Sequence, residues 1–307
     1  MNSPSLSPIR LIAAAVAAAC AAFAAQAEEF SWQLSGATRH AENGNFDSDS
    51  WALDATYYMK PIADGAGPFA LASFLNPTTH VSAAASRSPS AQPTAYTLGG
   101  AYVLPGARWY VGGNYAKLDV DDASSLTRSD PKGYGVQAGR YLGANTTLEL
   151  RLDRFEQKSS LACPIQQLCV GAPIEIDATT DSVGLEVLHV RRFRSLTYSL
   201  QGSVSERDSD IEVRPPSLLF PSGDGQSTRQ YSVAAELFPT DRLGVRVGYT
   251  RPDGDFDVDS YDVAATWFFK PRVAVQFGLS RTSIGDAPPG LGDYDSAGVR
   301  FIGRLGN

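Results

Sequence analysis

The segment TTLELRLDRFEQK, residues 146–158, alternates without a break. Leu148, Leu150 and Leu152 share one parity, and Glu149, Arg151 and Asp153 share the other. An extended strand sends successive side chains to opposite faces, so the spacing specifies one leucine face and one charged face. Such a strand suits the surface of a soluble sheet. It equally suits the wall of a closed barrel with lipid outside and water inside.

The same period of two runs through most of the chain. Phe30, Trp32 and Leu34 share a face, as do Trp51, Leu53, Ala55, Tyr57 and Met59. Leu196, Tyr198, Leu200 and Val204 alternate with Thr197, Ser199, Gln201, Ser203 and Ser205. Strands are predicted at 29–39, 50–60, 67–88, 94–104, 108–119, 133–142, 146–157, 178–190, 195–207, 228–238, 243–252, 257–269, 273–284 and 294–305. The third is the least regular, because Pro77 interrupts it. The total is fourteen, with twelve and sixteen as alternatives.

The connectors decide between sandwich and barrel. Short ones (LPGAR, LGANT, FPTDR, FKPR) alternate with long polar ones such as AKLDVDDASSLTRSDPKG and ERDSDIEVRPPSLLFPSGDGQST. A transmembrane barrel has short turns on one side of the membrane and long loops on the other. Tyr102, Tyr141, Phe193, Phe238, Phe268 and Phe269 abut the short turns, where an interfacial aromatic girdle belongs. A soluble β-sandwich has no reason to sort its connectors by length or to collect aromatics there. The fold predicted is therefore all-β: a transmembrane antiparallel up-and-down β-barrel occupying residues 28–307. Mean hydropathy is only −0.17, which does not oppose this, since alternate residues alone meet lipid.

Residues 1–27 read as a cleaved signal peptide. Arg10 precedes an alanine-rich apolar stretch, and Ala25-Gln26-Ala27 supplies a small-x-small cleavage site before Glu28. A retained anchor or a lipoprotein site at Cys20 are the weaker alternatives. After cleavage Cys163 and Cys169 remain, and in an oxidising compartment they predict a disulfide clamping one loop. Two thiols without a nearby histidine are too few ligands for structural zinc. Neither a metal nor a cofactor is expected. A formal net charge of −7 and the lack of a basic patch exclude nucleic acid as a partner.

Residues 56–76, TYYMKPIADGAGPFALASFLN, resemble a strand–turn–strand segment of the putative porin family of Gram-negative outer membranes. That family carries a comparable Tyr-Tyr…Pro…Gly-Pro…Ala-x-Phe-Leu pattern there. The resemblance implies an outer-membrane barrel with a channel role. It implies contact with outer-membrane lipid and lipopolysaccharide, and insertion by the barrel-assembly machinery. It brings no catalytic residues. Two features depart from large general porins: a Pro-Glu-Phe-Gly-type constriction motif is missing, and the chain ends RFIGRLGN rather than in an aromatic residue.

If the leucines at 148, 150 and 152 face lipid, Glu149, Arg151 and Asp153 face the lumen. The same parity places Asp54, Glu186, Glu236, Arg246, Asp262, Arg300 and Arg304 inside. Their signs are mixed, so these pore-lining candidates predict modest selectivity rather than the strong filter of a single-signed ring. Arg140 and Arg154 fall on the lipid parity near strand ends, where arginine snorkels. RPDGDFDVDSYD, residues 251–262, fails as a calcium loop: aligned from Asp255 it has Ser260 where glycine is needed and Thr266 in place of the bidentate glutamate. His40, His80 and His189 are the only histidines, none beside a nucleophile motif, so no enzyme is predicted. The predicted function is passive diffusion of ions and small hydrophilic solutes. The alternative is an occluded structural or adhesive barrel acting through its loops. A monomer is the weak preference, because no lipid-facing stripe is unusually polar or small.

Overall fold

The computed structural model describes residues 29–43, 46–63, 67–87, 94–119, 127–161, 174–214, 223–253, 258–285 and 292–306. The predicted leader and the Cys163–Cys169 bridge lie outside the described residues.

Fourteen strands close into one barrel. They are β1 (Glu29–Asn43), β2 (Phe46–Ala63), β3 (His80–Arg87), β4 (Thr94–Val103), β5 (Trp109–Asp119), β6 (Thr127–Tyr141) and β7 (Thr146–Leu161), followed by β8 (Ile174–Phe193), β9 (Leu196–Arg214), β10 (Gly223–Thr240), β11 (Leu243–Asp253), β12 (Val258–Lys270), β13 (Val273–Ile284) and β14 (Tyr294–Leu305). Every strand pairs antiparallel with its sequence neighbours, and β1 closes on β14 from Trp32 opposite Leu305 to Glu42 opposite Asp295. Closure leaves no strand edge unpaired, which matters for a sheet with no long helix among the described residues to cover one.

The alternation translates directly into two faces. Leu150 and Leu152 are about half exposed on the outer surface, and Leu98, Val136 and Leu279 reach 60–65%. So broad an apolar exterior would aggregate in water but suits hydrocarbon. At the short-turn rim Tyr102, Trp109, Phe193, Trp267 and Phe269 point outward as the girdle. Arg140 lies over the Trp109 ring at 5.3 Å, an arginine stem covering an apolar wall beside the rim. Strand lengths are uneven. β3 has 8 residues, whereas β8 has 20 and β9 has 19. About 9–11 residues cross a membrane, so β7–β10 stand well above it on the long-loop side.

Two expectations need correction. The segment 67–88 is not one strand. A helical turn, Phe69–Leu71, runs into a one-turn helix, α1 (Ala72–Leu75), and β3 begins only at His80. Pro68 starts the turn and Pro77 follows α1, so the interruption marks where pairing begins. The second concerns the girdle. Tyr141, Phe238 and Phe268 fall on the inward parity, and Phe238 and Phe268 are 2% and 1% exposed. They abut short turns, as expected, but pack against the Phe69–Leu75 segment inside the barrel.

Candidate functional site

The interior has two parts, a packed mouth at the short-turn end and a part-exposed charged wall above it. The mouth is built by the β2–β3 connection, which folds inward instead of turning tightly. Phe69 donates its backbone N–H to Asp241 O in the β10–β11 turn at 2.9 Å, and its ring meets Phe268 of β12 edge-on at 5.6 Å. Leu71 packs with Val190 of β8 and Phe238 of β10. Phe74 lies 6.3 Å from the Tyr141 ring of β6, and Ala72 joins Phe30, Tyr58 and Ile62 of β1 and β2. Contacts to strands all around the circumference place this segment across the mouth. Its backbone carbonyl at Phe69 is anchored by Arg304.

Arg304 shares the inward parity of the other charged candidates, yet it is only 2% exposed. Nη2 donates to Phe69 O at 2.6 Å and Nε to Gln33 Oε1 at 3.1 Å. The guanidinium lies 4.5 Å from the Phe30 ring centroid and 5.0 Å from that of Phe268. A planar, weakly hydrated cation between two rings suits this dry site better than an ammonium would.

Above the mouth the remaining candidates lie on the inward parity of their strands. Glu149 and Glu186 are register partners on β7 and β8. Each is held by a neutral donor, Glu149 by the Tyr110 hydroxyl at 2.6 Å and Glu186 by Gln201 Nε2 at 2.9 Å. The Tyr110 phenol occupies the space a Cβ at Gly139 would fill, so glycine at that position lets it reach Glu149. Arg151 bridges Asp153 at 3.7 Å and Gln137 at 3.3 Å. Glu236 and Arg246 are register partners, and Arg246 faces Asp262 at 3.8 Å. The Asp262 carboxylate rests over Gly248, again in space a Cβ would fill. Arg300 donates to Asp54 Oδ2 and to Ser35 Oγ, both at 2.8 Å, and the Ser35 hydroxyl also binds Asp54. Local pairs of opposite charge therefore cover β10–β12 and β14–β2, whereas β7 and β8 present two adjacent carboxylates. Apart from Tyr110 and Tyr141, the inner faces of β3–β6 carry small or neutral groups, such as Ser82, Thr97, Gly99, Gly112 and Gly135.

Two features escape the sequence pattern, and a third was readable from it without being among the candidates. The mouth segment does, because a Pro-broken apolar run reads as a damaged strand. Tyr110 does, because its role depends on Gly139 opposite it. Arg39, on the inward parity at the end of the predicted first strand, was readable by the same alternation. Among the described residues no group of three or more His, Cys, Asp or Glu side chains could hold a metal ion.

Comparisons with known proteins agree with this geometry. Residues 7–189 match the family described as putative general bacterial porin. The barrel is similar to the crystal structure of Acinetobacter baumannii outer membrane protein Omp33, with 17% identity, a TM-score of 0.60, and coverage of 91% of this chain and 100% of that one. It is also similar to the CymD monoaromatic hydrocarbon channel, at 10% identity and a TM-score of 0.54 over 91% of this chain and 90% of that one. No curated protein matches the sequence. A closed apolar-faced barrel of even strand number, with a charged interior and a family model spanning more than half of its length, makes this chain a porin-like channel of the Gram-negative outer membrane and a member of the putative general bacterial porin family.

Proposed function

We propose that the barrel conducts ions and small hydrophilic solutes by passive diffusion, with no catalysis. The observation that carries this reading is the inner wall itself, where partly exposed carboxylates and guanidinium groups of both signs line a surface enclosed by lipid-facing strands. Charged groups facing a membrane lumen serve a hydrated path, because burying them dry costs far more than it returns. Asp54, Glu149, Arg151, Asp153, Glu186, Glu236, Arg246, Asp262 and Arg300 line the path. Arg304 acts one level below, by holding the segment across the mouth. With short turns periplasmic, that mouth is the periplasmic end. The leader over 1–27 is removed on export, and Cys163 and Cys169 clamp the β7–β8 loop. The chain meets lipopolysaccharide at its outer rim, uses the barrel-assembly machinery for insertion, and works as a monomer.

The segment Phe69–Leu75 is also the observation that favours a second reading, an occluded barrel acting through its loops. Planar-bilayer recording of the purified protein separates the two. Discrete conductance steps, with a reversal potential that moves in Arg151→Ala, are the expected result. A folded, reproducibly silent barrel overturns diffusion and leaves the occluded reading.

A further inference from the structure

On the wall formed by β12, β13, β14 and β1 lies a recess of about 530 Å³ lined largely by inward side chains. It sits in the half of the lumen nearer the long loops, since Arg39 precedes the end of β1 at Asn43 by four residues. Its polar surface is mostly neutral hydroxyl. Ser280 and Ser296 bond one another at 2.8 Å, as do Ser260 and Thr282.

Arg39 differs from every other lumen arginine described above. Arg300, Arg246 and Arg151 each face a carboxylate within 4.0 Å, and Arg304 is enclosed at the mouth. Arg39 donates Nε to Ser296 Oγ at 2.8 Å and Nη2 to Ser280 Oγ at 2.9 Å, with no carboxylate in ion-pair range among the described residues. It is exposed to the lumen, and among the described residues it uses two N–H donors. Two serines hold the guanidinium in place without neutralising it. The other charges of the recess are already matched, Arg300 by Asp54 and Asp262 by Arg246.

We propose that this recess is a binding subsite for small hydroxylated carboxylates. The remaining Arg39 donors take the carboxylate, and the hydroxyls of Ser260, Thr282 and their neighbours exchange hydrogen bonds with the solute's hydroxyls. One unmatched positive charge in an otherwise neutralised recess suits a monoanion. A neutral polyol finds the hydroxyls but not the charge-assisted pair, which is the stronger contact. The subsite relies on the channel reading only for passage of the solute, not for its binding.

The test is calorimetric titration of the purified full-length barrel in detergent with gluconate and, separately, with sorbitol, its uncharged counterpart in size and hydroxylation. Gluconate should bind about tenfold more tightly than sorbitol, the order expected for one charge-assisted contact. Arg39→Gln should remove that preference, and Arg140→Gln, on the outer face over the Trp109 ring, should retain it. Equal affinity for the two solutes in the wild type, or an unchanged preference in Arg39→Gln, overturns the subsite. The wild-type comparison needs no variant to fold. Liposome swelling then separates the two claims: selective binding without gluconate uptake keeps the subsite and sinks diffusion, whereas uptake without selective binding does the reverse.

Discussion

The two ends of the lumen follow one parity rule and reach opposite outcomes. Along β10, Glu236 and Phe238 are successive inward residues. The first faces Arg246 on the wall, and the second is 2% exposed beneath Leu71. On β14, Arg300 is a part-exposed partner of Asp54, while Arg304, one inward pair further on, is enclosed between two rings. Nothing in the strands themselves changes at that level. What changes is the arrival of the Phe69–Leu75 segment from the β2–β3 connection, which fills the lumen with protein. Inward parity therefore does not define an environment; the contents of the lumen at that height do. The same arginine chemistry gives a screened surface pair at one level and a desolvated anchor four residues away.

The sharpest way to break this contrast is to cut the packed mouth. Phe238→Ala deletes a ring that fills space against Leu71 and Val190, and large-to-small changes of buried phenylalanine cost about 3–5 kcal/mol. Guanidinium unfolding of the micelle-embedded barrel should show a loss of that order, together with larger single-channel currents as the segment loosens. A loss below about 0.5 kcal/mol, the range of ordinary surface substitutions, would mean that the mouth is as wet as the wall. Arg300→Ala provides the opposite limb. Its pair with Asp54 has side-chain exposures of 41% and 31%, so screening keeps its contribution to about 1 kcal/mol or less. The reversal potential should nonetheless move toward cation selectivity, because Asp54 is left uncompensated in the lumen. A large stability loss with unchanged selectivity would place this pair in a dry site and erase the difference between the two ends.

Most of the wall was legible because the signal is redundant. A period of two repeated over fourteen strands fixes face, register and closure together, and a one-residue slip would put every charge of a strand into lipid. The mixed signs of the lumen were legible for the same reason. The mouth was not, because its identity is not periodic. FALASFL is apolar in either conformation, and only the strands it lands on decide that it packs inside. Arg304 illustrates the limit: its parity was readable, but its burial depends on Phe69, 235 positions away in the sequence. The aromatics divided on the same point. Phe268 and Phe269 are adjacent residues by one short turn; Phe269 joins the rim outside and Phe268 the packed mouth.

The smallest effect lies outside the membrane, where the long-loop end should behave as the wettest region of all. Asp293, just before β14, accepts hydrogen bonds from Arg281 Nη2 at 3.0 Å, Ser283 Oγ at 2.9 Å and the Ile284 backbone N–H at 3.2 Å. The Arg281 guanidinium, then the Ser283 hydroxyl and the Ile284 amide, hold its carboxyl below the usual carboxylate range. A carboxyl whose folded pKa is depressed contributes fully above its unfolded pKa and loses that contribution as pH falls through the folded value. The end of β13 should therefore be unchanged from neutral pH down to the ordinary carboxylate range and loosen only below it. Amide exchange at Ile284, corrected for intrinsic rate, reads this directly: protection should fall in strongly acidic buffer in the wild type and be low at every pH in Asp293→Asn. Because the pair lies on the exposed rim, salt should weaken the wild-type protection as well. Protection at Ile284 that ignores both salt and pH would mean that this outer rim is packed like the mouth, and that the lumen is dry at both ends.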